Sequence, residues 1–492
     1  MQRRQLLKVL LSFLGNSALT MTPSKGYSAL ARRTIIETNR DQKTPQTLYL
    51  TELREFAEAS DWTNAIKYIN ENATNNMTVV IPPGEYFTNV GLRLVKGMHV
   101  LGTGGKVILK SSAINESAIV MADDSSVTGI LTIDLEDTSG ANWRRAYITI
   151  GEYDTGIGRS NVKIAGIEIL GGHDDANGLF ITGDSHDIDI RDIAVPDNSH
   201  IGRIILAHWG GSNYHNHNAD GSELHIPGKF TTHPHNITIS NISTGAMSYS
   251  YGTKNRGNCA IVFFSAAYKC KVENINSIRC QQVAVIYGSD FGFTYAHDDI
   301  KTIGQSDIHV DNVKCKLVDY RALTIDGQPN YTTELIESSS TFNDWVVYGN
   351  RLDKYNSSGI VIEFASDVIL TNIYLNSFKK KGILISEGCS NISAQAKINN
   401  TSENAVAILG TNKNKTSRIK INIETTNSNT KNSTNPETSS AVYISNNVST
   451  VKIEGKIGDM TQVNNYTHGV YKKDAMNITI KAVIGKTTND SF

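Results

Sequence analysis

The chain has few prolines, few cysteines and almost no net charge. Nine prolines in 492 residues leave long stretches whose backbone N–H groups can all join a sheet. The five cysteines are odd in number, so at least one stays unpaired, and they show no CxxC or Cys/His spacing typical of structural zinc. A formal net charge of −1 gives no electrostatic reason to expect nucleic acid as a partner.

The N-terminal part of the chain lacks an unbroken apolar segment of membrane-spanning length. Its most apolar stretch, VLLSFLGNSALTM, is interrupted at residues 15–17, which does not suit stable insertion into a bilayer. This stretch follows Arg3-Arg4 and precedes a small-x-small site at residues 29–31, a pattern that indicates a twin-arginine export signal over residues 1–31. An uncleaved membrane anchor is the alternative. We therefore expect a periplasmic or secreted bacterial protein.

The chain contains a recurring sequence motif, in which apolar residues alternate around one polar position. Alternation with period two predicts β-strands, and recurrence at the size of one coil predicts a solenoid. The uneven gaps, from 26 to 60 residues, indicate loops inserted between coils. We interpret the polar positions as scaffold, with Asn side chains stacked inside the coils and hydrogen-bonded to one another. These positions are Gly166, Asp192, Asn241, Asn274, Asn312 and Asn372.

The beginning of the repeat carries more specific motifs. D-W-T-N-A-I (61–66), V-V-I-P-P-G-E-Y (79–86) and V-L-G-T-G-G (100–105) together resemble the opening of pectin-lyase-like right-handed β-helix proteins. The matching branch groups rhamnogalacturonases, pectate-lyase-like proteins and phage tailspikes. The resemblance implies an all-β fold, a single right-handed parallel β-helix, and action on polysaccharides by hydrolysis, β-elimination or C5 epimerisation.

Domain boundaries follow from the same patterns. A polar linker at 32–45 precedes one β-helix domain over 46–485, and residues 486–492 form a tail. Ala65, Ile66 and Ile69 fall on one face of a predicted amphipathic helix. This helix is expected to cover the first coil, because a solenoid must block its open end.

Three long insertions in the middle of the chain contain residues suited to a sugar site. They span 208–235, 288–299 and 327–356, and sugar sites combine aromatic faces with polar side chains. The histidines of the first insertion show no three-ligand spacing, so no metal is expected. We expect substrate contacts from Trp209, Tyr251, Lys254, Arg256, Tyr287, His297, Arg321 and Trp345.

The strands between these insertions predict where carboxylates meet. The alignment takes as equivalent core positions Ile181, Leu206, Phe263, Tyr287, Ile325 and Ile362. It places Asp326 and Glu363 on neighbouring coils, facing outward, with Asp290 just beyond the equivalent Gly288. Two carboxylates one strand apart repel, which leaves an acid beside a base, as glycoside hydrolysis requires. We therefore expect catalysis by Asp326 and Glu363, assisted by Asp290 and by His208, which ends a strand of the same ladder.

Two other functions stay open at this point. A polysaccharide lyase or C5 epimerase would use a base such as Arg or Lys beside a uronate carboxyl group, for which Lys254, Arg256 and Arg321 are available, with Tyr251 as proton donor. Such an enzyme could use Ca²⁺, whereas hydrolysis needs no cofactor. A β-helix that only binds glycans would show aromatic residues without a carboxylate ladder. The ladder favours an enzyme, and a hydrolase ahead of a lyase.

Overall fold

A computed structural model of the protein describes residues 46–103, 105–113, 116–136, 145–172, 176–210, 232–247, 259–287, 307–327, 340–461 and 463–487, with strand assignments also at 296–297 and 300–301. The first strands are β1 Thr47–Tyr49, β2 Thr78–Ile81, β3 Gly84–Thr88, β4 Leu92–Arg93, β5 His99–Gly102, β6 Val107–Ser111, β7 Ile119–Val120, β8 Ser126–Gly129, β9 Leu131–Leu135 and β10 Ala146–Ile150. The next are β11 Ser160–Gly171, β12 Asn177–Thr182, β13 His186–Val195, β14 Arg203–His208, β15 His235–Ala246, β16 Ala260–Ser265, β17 Tyr268–Tyr287, β18 Ala296–His297, β19 Ile300–Lys301 and β20 Ile308–Asp326. The last are β21 Thr341–Gly349, β22 Ile360–Glu363, β23 Ile369–Asn376, β24 Ile383–Ser386, β25 Ser390–Asn399, β26 Val406–Ile408, β27 Thr416–Thr426, β28 Val442–Ile444, β29 Val448–Ile457, β30 Val470–Lys472 and β31 Met476–Ile484.

Helices occupy only a small part of the described chain. A 3₁₀-helix covers Leu50–Phe56, α1 covers Thr63–Asn72 and α2 covers Pro436–Ser439. In α1 the residues Ala65, Ile66 and Ile69 are buried, as their spacing predicted. No helix among the described residues is long and apolar enough to cross a membrane.

The strands wind into a parallel β-helix. Twenty-nine of them belong to one continuous sheet, and each pairs in parallel with a strand one coil away, for example β12 with β14 and β14 with β16. The described residues between Thr47 and Thr487 have the right-handed parallel β-helix fold, so the fold predicted from the repeat and the opening motifs is confirmed. Its centre is a single stack of buried Ile, Val and Leu side chains, which is why the strands are so rich in β-branched residues.

One face of this solenoid carries the ends of the inserted loops, and we call it the front sheet. It consists of β4, β7, β10, β12, β14, β16, residues 282–287 of β17, residues 321–326 of β20, β22, β24, β26, β28 and β30.

The polar positions of the repeat form a hydrogen-bonded ladder, but on the outside of the coils. Asn241 donates to Asp192, Asn274 to Asn241 and Asn312 to Asn274, at 2.9, 3.0 and 2.7 Å, and these contacts are exposed. Every member has a left-handed backbone, with φ between 54° and 77° from Gly166 to Asn372. Asn, Asp and Gly tolerate that conformation best. The placement of the amides inside the coils was therefore wrong: the residue type is dictated by the corner that each coil must turn.

The longest gap between predicted ladder positions, from Asn312 to Asn372, contains one complete further coil. Asp344 has φ 59° and accepts a hydrogen bond from Asn372 at 2.6 Å. It lies in β21, which pairs with β20 and β23. Residues 341–349 are therefore a core strand, and the third insertion predicted from the sequence is correspondingly shorter.

The ladder makes a testable contribution to stability. Replacing Asn274 by Ala, at φ 63°, should lower the free energy of unfolding by about 1–3 kcal/mol, because it strains the backbone and removes two hydrogen bonds. Asn274→Gly keeps the backbone relaxed and should lose less. Urea denaturation followed by far-UV circular dichroism measures both. Equal losses in the two variants would show that the left-handed backbone is not what selects Asn.

Candidate carboxylate site on the front sheet

The register of the front sheet determines which residues face outward. Ile181 pairs with Ala207, and the same core position continues through Phe264, Ile286, Ile325 and Ile362. The predicted core positions Leu206, Phe263 and Tyr287 are therefore wrong by one residue. Leu206 and Phe263 belong instead to an outer apolar cluster. Both faces of these strands are apolar, so alternation could not distinguish them.

Near the C-terminal end of each of these strands one side chain faces outward, and we call this row of side chains the end row. In register it reads Thr182, His208, Ser265, Tyr287, Asp326, Glu363 and Ser386. Thr182, His208, Ser265 and Ser386 are buried, whereas Tyr287, Asp326 and Glu363 are partly exposed. Within the described chain, the end row thus reaches solvent at two carboxylates and the tyrosine next to them.

Asp326 and Glu363 are directly paired residues of neighbouring strands. Their Cα atoms are therefore about 4.8 Å apart in the direction between strands. Each follows a buried isoleucine, Ile325 or Ile362, which anchors the strand and directs the next side chain outward. The predicted juxtaposition of these two carboxylates on adjacent coils is confirmed.

Ser386 completes the pair, although the sequence interpretation overlooked it. Its Oγ donates a hydrogen bond to Glu363 Oε1 at 2.9 Å, which fixes one carboxylate oxygen and leaves Oε2 for another partner. Beneath it, the Cys389 thiol contacts the carbonyl of Ser386 at 3.0 Å, and burial raises the pKa of this thiol to about 12, so the thiol stays neutral. Aligning ALTID, GIVIE and GILIS would have found Ser386.

The structure does not bring His208 to the carboxylates. Two strands of the end row separate it from Asp326. It is 4% exposed, and its Nδ1 donates to the carbonyl oxygen of Trp209 at 2.8 Å. The ring also packs against Tyr153, with centroids 5.5 Å apart. His208 is thus a buried structural side chain at the base of the first insertion, and its expected assistance in catalysis is not supported by its position.

Two aromatic residues expected to contact substrate are fully buried. Trp209 is 0% exposed and packs in the outer cluster with Phe180 and Phe263. Trp345 is also 0% exposed and donates from Nε1 to the carbonyl of Val310 at 2.9 Å. Neither ring offers a face to a ligand, so both expectations were wrong. Both predictions failed for the same reason. Each tryptophan was assigned to an inserted loop, whereas in the structure it belongs to a packed strand or directly follows one.

Two other predicted contacts lie where a ligand could reach them. Tyr287 is partly exposed beside Asp326, with its ring 5.2 Å from that of Phe263 in an edge-on arrangement. Arg321 starts the same strand segment that Asp326 ends, and its guanidinium stacks over Tyr320 at 4.7 Å. Its Nε is buried and makes no hydrogen bond to the described chain.

The remaining predicted site residues cannot be placed around the pair. Asp290, Tyr251, Lys254 and Arg256 lie outside the described residues, and His297 is described only as part of the two-residue strand β18. Within the described chain, no group of three or more His, Cys, Asp or Glu side chains is arranged to hold a metal ion.

A second acidic site in the described chain has a different character. Asp319 is 2% exposed, and burial raises its pKa above the usual value, although hydrogen bonds from Asn350 and Arg279 act in the opposite direction. Arg279 Nε and Asn350 Nδ2 each lie 2.8 Å from one of its oxygens. Both oxygens are therefore engaged within the fold, which makes Asp319 a structural anchor.

Comparison with known proteins concerns the fold of the chain. No family model and no curated protein matches the chain. Among solved structures, it is similar to the N-terminal fragment of bacteriophage phi29 gene product 12, with a TM-score of 0.57 and 13% identity over 93% of this chain and 74% of that one. The A-module of Azotobacter vinelandii mannuronan C-5 epimerase AlgE6 matches with a TM-score of 0.41 and 12% identity, over 89% of this chain and 98% of that one. A GH87 α-1,3-glucanase catalytic unit from Streptomyces thermodiastaticus strain HF3-3 has the same score and identity over 91% and 70%. The similarity to the phage fragment bears on the fold alone, which the parallel pairing of the strands identifies as a parallel β-helix.

Proposed function

We propose that this protein is an exported enzyme that hydrolyses glycosidic bonds in a polysaccharide, with Asp326 and Glu363 as its catalytic pair. One observation carries the proposal. The outward end row of the front sheet reaches solvent at two carboxylates that are paired across neighbouring strands. Like charges on adjacent strands repel. The directly paired Glu273 and Asp311 lie outside the front sheet and are held by Lys271 at 2.6 Å and by Asn343 at 2.7 Å, whereas Asp326 and Glu363 end strands of the front sheet.

The arrangement suits a two-step displacement. One carboxylic acid protonates the leaving glycosidic oxygen while the other carboxylate attacks the anomeric carbon, forming a glycosyl ester and releasing the first sugar product. The first residue then removes a proton from water, and the resulting attack on the anomeric carbon releases the second product and restores both groups. Glu363 is the better candidate for the nucleophile, because Ser386 fixes one of its oxygens and an attacking group must be held in position. Asp326 is then the acid and, in the second step, the base.

The strand spacing predicts the stereochemical outcome. Carboxyl groups that keep this strand spacing, about 5 Å, act by double displacement with retention of anomeric configuration, whereas inversion needs a gap of roughly 6.5–9.5 Å to admit a water molecule. We therefore expect the first-formed product to keep the configuration of the substrate. Proton NMR of the anomeric signals during the first minutes of reaction measures this. A first product of opposite configuration would exclude Asp326 and Glu363 as a nucleophile and acid pair.

Incubation of the purified mature chain with a panel of neutral and acidic polysaccharides tests the reaction class itself. New reducing ends without the ultraviolet absorbance of unsaturated uronates are the result expected for a hydrolase. A parallel rise in both signals would make the enzyme a lyase and direct attention to Arg321. Neither signal on any polymer would contradict hydrolysis, and isotope exchange at C5 and binding assays would then test epimerase and non-catalytic glycan-binding functions.

A further inference from the structure

Within the β-helix, the C-terminal coils carry an excess of positive charge. Residues 391–487 contain twelve Lys and Arg but only six Asp and Glu, which leaves 35 basic and 42 acidic residues in the rest of the chain. A near-neutral chain thus combines an acidic majority with a basic end. Such asymmetry is typical of proteins that hold a polyanion at one place on their surface.

Four of these cations lie around the turn that joins β26 to β27, and we call them the basic corner. They are Lys413, Lys415, Arg418 and Lys420, and all four are exposed. In the described part of the chain, none of them forms an ion pair. Other surface lysines of these coils do, for example Lys397 with Glu424 at 3.0 Å and Lys473 with Glu437 at 2.8 Å. The basic corner therefore keeps its charge available.

Two of the four cations occupy positions that disfavour them. Arg418 has φ 57°, and the equivalent residues of the two preceding coils are Asp367 and Asn391. A left-handed backbone costs a long side chain more than it costs Asn. Lys420 pairs directly with Lys452 of the next coil, and like charges opposite one another destabilise a sheet. The backbone at Arg418 therefore disfavours a long side chain. At Lys420 the repulsion is partly offset by Glu454, which lies 2.7 Å from Lys452 and whose pKa is lowered by the hydrogen bond from Lys452, with Lys420 contributing.

The residues around the basic corner indicate the chemistry of its ligand. Asn391 accepts from Arg418 Nε at 2.6 Å and donates to Asp367 at 2.9 Å, which orients the guanidinium. Asn447 donates to Asn412 at 3.0 Å, so a further pair of amides, of a kind suited to hydroxyl groups, lies beside the cations. Residues 411–420 include no aromatic side chain for stacking bases, and their one large apolar residue, Ile419, is buried. We infer that the basic corner is a docking site for an anionic polysaccharide.

The basic corner also lies beside the candidate catalytic site. Glu363 pairs with Ser386, and the equivalent residue one coil further is Leu409, directly before the turn. Two strand spacings, about 10 Å, thus separate Glu363 along the solenoid from Leu409, where the turn that carries the basic corner begins. If the proposed hydrolase function holds, one anionic chain can contact both places. The docking itself does not depend on that function.

Binding to a sulfated glycan tests the inference on the full chain. The probe is heparin, compared with neutral dextran and with vesicles of anionic phospholipid. We expect salt-sensitive binding to heparin and none to dextran. Lys413→Glu with Lys415→Glu should weaken heparin binding about tenfold or more, whereas Lys413→Arg with Lys415→Arg should keep it. The matched control is Lys67→Glu with Lys106→Glu, which makes the same charge change at exposed positions near the other end of the domain and should bind heparin as the wild type does.

Each contrary outcome is distinguishable. No binding to heparin, or an equal loss in the control pair, would overturn the docking site, because bulk charge would then explain the data. Binding to vesicles without binding to heparin would make the corner a lipid-binding surface instead. Heparin binding is measured without turnover, so a failure of the hydrolase proposal leaves this test intact.

Discussion

Replacing Glu363 by Gln is expected to reduce turnover of the cognate polysaccharide by about 10³-fold or more. Gln has the same shape and can still accept the Ser386 hydrogen bond seen at 2.9 Å, so the loss would report the missing charge and nucleophile. Asp326→Asn should cause a comparable loss. The double variant should be little worse than either single one, because the two groups act in one step. Initial rates of reducing-end release measure all three.

The control for this series is Glu424→Gln. Glu424 lies on an exposed face of β27 and pairs with Lys397, so its neutralisation should leave both turnover and stability close to wild type. Far-UV circular dichroism and thermal denaturation would verify that every variant is folded. A Glu363→Gln enzyme with a third or more of wild-type turnover would remove the catalytic assignment. Multiplicative losses in the double variant would show that Asp326 and Glu363 act independently.

The part of the site that could be predicted is the part where strand geometry is unambiguous. ALTID and GIVIE each present one acidic residue after a short apolar strand, so the Asp326 and Glu363 register followed from alternation alone. The upstream strands IILAHW and AIVFFS are apolar on both faces, because Leu206 and Phe263 lie in an outer cluster. On such strands period-two alternation does not show which residues face the core, and the predicted core positions were therefore wrong by one residue.

Hydrogen bonds between coils were harder to foresee than the coils themselves. The repeat predicted the solenoid, and the left-handed corners explain why Asn, Asp and Gly recur in it. The donation from Ser386 to Glu363 depends on a side-chain rotamer and on the register of two strands 23 residues apart in sequence. Only aligned strand ends could have indicated it. The same limitation hid Asp344, whose coil follows a long polar segment that resembled a loop.

Trp345 gives the clearest contrast between an expected and an observed role, and its replacement should have the largest effect on stability. As a sugar-binding residue it would lie on the surface, and its loss would raise KM while leaving the fold intact. Instead it is 0% exposed, packs edge-on against Phe342 with centroids 5.9 Å apart, and pairs with Val313 and Ile373 in the core.

Trp345→Ala should therefore lower the free energy of unfolding by about 3–5 kcal/mol, since it removes a large ring and leaves a cavity. It also leaves the carbonyl of Val310 without the donor now at 2.9 Å, a further cost for a buried acceptor. Tyr348→Ala is the matched control on the same strand, because Tyr348 is 39% exposed and its loss should cost about 1 kcal/mol or less. Urea denaturation followed by far-UV circular dichroism measures both changes. Similar losses in the two variants would contradict the core position of Trp345, and a normal fold with raised KM in Trp345→Ala would restore its role in binding sugar.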